Sequence, residues 1–187
     1  MSNIFDDIKK NPKYNSNNSA SWFRQNVTDA FRNLGQQQFM EKNKMRQTTK
    51  VSPGQMIFFG YDPKYKEELP FYDKFPLLLP FYIDSTHFMG LNLHYLPPPK
   101  RLIILDKLVQ TAVDKTLPDK MKLKLSWSLL TSLSENKLVK YSVKKYLYGH
   151  VKTNFINVPT SDWPLAIWLP MARFEKANQQ EVWKGLK

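Results

Sequence analysis

The chain has 187 residues, 42% hydrophobic and 14% aromatic, enough for one domain with a packed core. It contains no cysteine, which excludes a disulfide framework, a thiolate zinc site and a cysteine nucleophile. The net charge of +12 is that of a polyanion binder.

Charge is unevenly spread. Residues 1–50 carry a net +5, 51–98 a net −2, 99–152 a net +8 and 153–187 a net +1. One basic face on a nearly neutral body is the expected outcome. No run approaches the ~18 apolar residues of a membrane span, and Met1–Lys10 lacks the apolar stretch of a signal peptide. The expected setting is therefore cytoplasmic, or inside a particle assembled there, with no membrane partner.

In chain order, residues 1–18 are polar and asparagine-rich, and read as a mobile tail or one ordered only against a partner. Phe23, Val27, Ala30, Phe31 and Leu34 then fall on one helical stripe, capped by Ser19 or Ser21 and ended by Gly35. That stripe docks on the protein's own core or on a neighbouring subunit, with Phe23, Val27, Phe31 and Leu34 as the contact residues. Gln36–Lys50 is a polar, basic linker. Residues 1–50 thus form an arm, and 51–187 a single domain.

Residues 51–98 organise that domain. Met56–Phe59, Leu77–Leu79 and Phe88–Tyr95 are strand-length apolar runs closed by Gly, Pro or Asp. Pro53-Gly54 opens the first, and Asp84-Ser85-Thr86 is the turn of a hairpin. Pro70, Pro76 and Pro80 confine the middle strand to a short edge piece. Alternation in the third run turns Leu91, Leu93 and Tyr95 inward and Asn92 and His94 away from the main core. So many aromatics cannot all be buried by so small a sheet, and part of them should be interface.

After Pro97-Pro98-Pro99 a helix buries Leu102, Leu105, Leu108, Val109, Ala112 and Val113. A second starts at Pro118, with Met121, Leu125, Leu129 and Leu133 at successive turns, although KMKLKLSW also permits a strand. A third covers 137–152. Thr153–Val158 rejoins the sheet, Trp163, Ile167 and Trp168 pack a short turn or helix, and a last helix runs from Pro170 to about Gln180. The fold class is α+β. A small curled antiparallel sheet, an SH3-like and partly open barrel, packs with three to four helices, preceded by the N-terminal amphipathic helix and tail.

The segments PGQMIFFGYDPKYKEELPFYDKFPLLLPF, GLNLHYLPP, KYLYGHVKTNFINVP, W..AIWLP and a closing VW, in this order, resemble the DNA end protector, or head-completion, family of T-even-type tailed phages. The resemblance covers roughly residues 50–183 and brings no catalytic motif. It implies a virion protein that shields double-stranded DNA ends without sequence preference. It implies portal, neck or other virion proteins as partners, in the virion and, during assembly, the host cytoplasm. The competing reading is a purely structural neck, tail or baseplate component that never meets DNA.

The residues themselves favour binding over catalysis. His87, His94 and His150 have no zinc-ligand spacing, and no phosphate loop, dinucleotide fingerprint or Gly-x-Ser-x-Gly is present. Asp62, Asp73 and Asp84 could gather as a metal site, but turn chemistry accounts for Asp62 and Asp84. No cofactor or metal is expected. Lys100 and Arg101 open a helix, Lys120, Lys122 and Lys124 alternate in a short run, and Lys137, Lys140, Lys144 and Lys145 decorate the third helix. Lysine-rich, arginine-poor decoration suits phosphate contact rather than base reading. Tyr141, Tyr146 and Tyr148 are interleaved there, and one of them could stack on an unpaired terminal base.

Overall fold

A computed structural model describes residues 47–113, 128, 132 and 137–184. The N-terminal stripe (Phe23, Val27, Phe31, Leu34), Lys120, Lys122, Lys124 and the helix expected after Pro118 lie outside the described residues, apart from helical backbone at 128 and 132.

The described chain is α+β, built on one open antiparallel sheet. Its strands are β1 (Gln47–Thr48), β2 (Met56–Phe58), β4 (Leu77–Ile83), β5 (His87–Asn92), β6 (Val143–Leu147) and β7 (Phe155–Val158), in the order β1-β7-β2-β4-β5-β6. There is no closed barrel, so β1 and β6 are edges. A two-stranded ribbon pairs β3 (Tyr72–Asp73) with β8 (Phe174–Glu175). The helices are α1 (Pro98–Val113) and the short α2 (Lys137–Lys140), α3 (Trp163–Ala166) and α4 (Gln179–Lys184).

Both faces of the sheet are covered. On one, Met56, Phe58, Leu77, Leu79 and Leu91 pack on Ile104, Leu105 and Leu108 of α1 and on Trp163 and Leu165. Leu102 is only partly buried, and the side chains of Val109, Ala112 and Val113 lie outside the described ones. On the other face, Ile57, Phe59, Leu78, Phe88, Tyr146 and Phe155 form a second cluster. Phe59 meets Phe88, Tyr146 and Phe155 edge-on at centroid distances of 5.4, 5.1 and 5.3 Å. Such pairs add about 0.5–1.5 kcal/mol each beyond the area they bury. The aromatics of this region are therefore mostly internal, against expectation, because the sheet has two covered faces. Only Tyr65 and Tyr82 are exposed among them, with Phe71 and Tyr72 half-buried.

The hairpin at Asp84 is as expected. Its Oδ1 accepts from Thr86 N (2.7 Å) and His87 N (2.8 Å), and these amides hold the carboxyl at about 2, well below the usual range. The strand before it is not at an edge. β4 is seven residues long and sits between β2 and β5. Pro80 is tolerated because the β2 ladder ends at Leu78 and the β4–β5 register shifts between Pro80 and Tyr82. The Pro80 carbonyl is still paired, accepting from Gly54 N at 2.8 Å, and Gly54 adopts the φ of 74° that this turn needs. Opposite Pro80 stands Gly90, where a Cβ would fall 2.5 Å from Leu79 O.

Four further expectations are corrected. Asn92 and His94 are fully buried, because β5 ends at Asn92 and a 3-10 turn at Leu93–Tyr95 breaks the alternation. Residues 137–152 are not one helix. Ser142 N and Oγ both donate to Val139 O, ending α2, and β6 then uses Tyr146 to stack on Phe88 across the ladder. The last helix does not run from Pro170. It starts after Asn178, whose Oδ1 accepts from Glu181 N while Glu181 Oε2 accepts from Asn178 N, a reciprocal cap. Finally, the end of the linker is a strand, with Thr48 paired to Phe155.

Candidate nucleic-acid interface

The sequence-predicted basic residues take different roles. Arg101 is 2% exposed and is not on any surface. Its Nε donates to Leu96 O and its Nη1 to Ile167 O, both at 2.7 Å, and the guanidinium lies 5.7 Å from the Trp183 ring. Burial brings its pKa down to about 10. A helix start next to three prolines gave no signal that this arginine would turn inward to tie α1 to the segment after α3. Lys100 is half-buried, Lys140 and Lys145 are exposed, and Lys137 opens α2. The ends of β5 and β6 meet where Asn92 N donates to Ser142 O, so Lys140 stands beside the strand that carries Lys144 and Lys145.

Lys144 differs from its neighbours. Its Nζ lies 4.1 Å from the centroid of the Tyr95 ring, and burial lowers its pKa from the ordinary value. Among the described residues it has no carboxylate partner. It lines a pocket of about 500 Å³ between β6 and the segment 61–73. The walls are aromatic, from Tyr61, Tyr65, Phe71, Tyr72, Tyr95 and Tyr146, and the cations are Lys64, Lys144 and Lys145. Lys64 Nζ sits 5.1 Å from the Tyr65 ring. Of the three tyrosines singled out in the sequence, Tyr146 is buried as a wall of this pocket, Tyr148 is partly buried and Tyr141 is 56% exposed.

The wall opposite β6 is fixed by its attachments. Lys176 Nζ donates to the carbonyls of Lys66 (2.8 Å), Glu67 (2.8 Å) and Leu69 (3.3 Å), and Lys66 pairs with Asp62 at 3.2 Å. The β3–β8 ribbon holds Tyr72 in place. At the other end Leu147 N donates to Tyr61 Oη at 3.2 Å.

The one carboxylate lining the pocket, Asp73, is already committed. Its Oδ1 accepts from Phe75 N (3.0 Å) and Arg173 N (3.2 Å), its Oδ2 from Asn92 Nδ2 (3.1 Å) and His94 Nδ1 (2.7 Å). Asn92 Nδ2 also donates to the Tyr146 hydroxyl at 3.0 Å. Burial holds His94 below its ordinary pKa, so the imidazole is neutral with its proton on Nδ1. Asp62, Asp73 and Asp84 do not converge, and among the described residues no cluster of His, Asp or Glu could hold a metal. The sequence reading missed Lys64, Tyr65, Phe71, Tyr72 and Tyr95. The signal for the first four was the interleaving of lysine and aromatics in DPKYKEELPFYD.

Among the described residues no helix is long and apolar enough to cross a membrane. No curated protein and no solved structure matches the chain. A family does, and it agrees with the resemblance read from residues 50–183. Over residues 1–185 the chain matches the family described as Phage T4 terminal DNA protecting protein, and it belongs to that family.

Proposed function

We propose that this protein binds the terminus of packaged double-stranded DNA, shields it sterically from exonucleases and completes the head at the head–tail junction, with no catalytic step. The observation that carries the reading is an acid-free stretch. No Asp or Glu occurs between residues 136 and 161, and at its centre the edge strand β6 presents exposed Lys145 beside exposed Lys140. Lys100 extends this face, with Lys137, Lys120, Lys122 and Lys124 as further phosphate contacts. Arg101 is no part of this face because it is buried, nor is Lys144, which is desolvated against the Tyr95 ring. The residues before β1 act as an arm whose Phe23, Val27, Phe31 and Leu34 dock on a portal, neck or other virion subunit.

The test compares linear with closed circular DNA at matched ionic strength, reading both binding and exonuclease resistance. Protection of linear ends is expected. Equal affinity for the two forms with unprotected ends would sink the proposal. Locating the protein in particles tests its place: copies found only at the baseplate would remove the head-completion role.

A further inference from the structure

We infer that the pocket beside β6 is a receptor for a single unpaired nucleotide at the end of a DNA strand, its base among the aromatic walls and its phosphate on Lys144. The inference rests on the end-binding reading above and names the part of the DNA that the pocket takes.

Size comes first. About 500 Å³ lies within the ~300–1,000 Å³ of small-ligand clefts and cannot admit a duplex, but it accommodates one nucleotide. Chemistry comes second. Tyr65, Phe71 and Tyr72 supply π-faces that stack on any base, a sequence-tolerant contact suited to an end whose sequence is not read. Electrostatics decides between a neutral and an anionic occupant. Lys144 is a desolvated ammonium held on the Tyr95 face with no carboxylate among the described residues, and Lys64 and Lys145 stand at the same pocket. Asp73 turns both its oxygens to four donors and, among the described residues, forms no ion pair with these lysines. An incoming phosphate gives the Lys144 charge the partner that the fold withholds.

A terminal nucleotide is also the cheapest one to place there. An unpaired end has no base pair to break and only one stacking partner to leave. Exposed Lys145 of the same edge strand and Lys140 beside it would hold the adjoining backbone while the pocket takes the end. The geometry thereby separates general phosphate binding from recognition of a terminus.

The test uses three DNAs at one salt concentration: a blunt duplex, the same duplex with one unpaired 5′-phosphorylated nucleotide, and a closed circle. The overhang duplex is expected to bind about tenfold more tightly than the blunt one. Tyr65→Ala, which removes a wall, and Leu69→Trp, which fills the mouth, should each abolish that preference and leave affinity for the circle unchanged. Both positions are exposed, so both variants should fold. Lys144→Met should lose the preference too, and free dAMP should compete with the overhang duplex but not with the circle. Equal affinity for overhang and blunt ends, or a preference that survives both wall variants, overturns the inference while end protection stands. Binding of dAMP without any overhang preference also overturns it, in favour of a free nucleotide. Unprotected ends with equal binding of linear and circular DNA would instead remove the end-binding reading itself.

Discussion

His94 Nδ1 lies 2.7 Å from Asp73 Oδ2, with the two side chains 0% and 1% exposed. This pair joins the sheet to the segment that walls the pocket, and it is closed off from water. Among the described residues His94 Nε2 has no hydrogen-bond partner. A second proton would therefore enter an unsolvated site that already faces the Arg101 guanidinium.

The pH dependence follows with a definite sign. Burial lowers the folded-state pKa of His94, so the unfolded chain binds more protons, and stability falls with pH once it drops below the ordinary value of about 6.5. The urea midpoint should be flat above about pH 7 and decline toward pH 5. His94→Gln should be less stable at pH 7 and should lose most of that slope. An unchanged slope would mean another group titrates. Asp84 is not that group, because its pKa of about 2 places its effect at far lower pH.

Arg101 serves the fold and not the DNA. Arg101→Met should lower stability by about 2–4 kcal/mol in urea titration, since the carbonyls of Leu96 and Ile167 lose their donors. At temperatures where the variant is folded, the salt dependence of DNA binding should be unaltered.

Gly90→Ala is expected to be among the most damaging of small substitutions. The added methyl would fall 2.5 Å from Leu79 O and 2.9 Å from Leu78 Cγ in the middle of the sheet. A loss of about 2 kcal/mol or more is expected, measured as a drop in the unfolding midpoint.

Half-buried Lys100 and exposed Lys140 and Lys145 should act through counterions. Lys100→Glu, Lys140→Glu and Lys145→Glu together should abolish binding to linear DNA. Single changes to neutral residues should each lessen the log–log salt slope by about 0.9. Thermal stability should shift little for the changes at Lys140 and Lys145, because exposed changes usually cost within about 0.5 kcal/mol.

Lys176 is a pin on the pocket wall. Lys176→Met should leave global stability within about 1 kcal/mol, since the side chain lies at the surface. Exchange of the Glu68 and Leu69 amides, which donate to Tyr65 O, should quicken. Unaltered exchange would mean that the ribbon alone holds the wall.

Much of the sheet was legible before any coordinates, because turn residues announce themselves locally. Pro53-Gly54 and the Asp84 turn needed no tertiary information, and neither did the return of residues 155–158. What failed depended on partners distant in sequence. Val143 to Leu147 fits a helical stripe in isolation, and only the open side of β5 makes it a strand. Asn92 and His94 looked outward by period-two counting, and only the carboxylate of Asp73 makes their burial possible. The basic set was visible as composition, but composition could not say that Arg101 would turn inward or that Lys144 would face aromatic walls. The cap of α4 was in the sequence, as Asn178 and Glu181 three residues apart, and was overlooked.

The open edge at β6 has a bearing on self-association. An unpaired strand at the end of a sheet invites a strand from another chain, and charged side chains are a common guard against it. Tyr61 closes one end of this edge through Leu147 N, and Lys145 keeps like-charged copies apart along the rest. DNA laid on the same lysines would cancel that repulsion. Crowding of several copies at one DNA end would then bring bare edges together, so their assembly into strand-paired oligomers should depend on DNA and disappear when Val143 is replaced by proline.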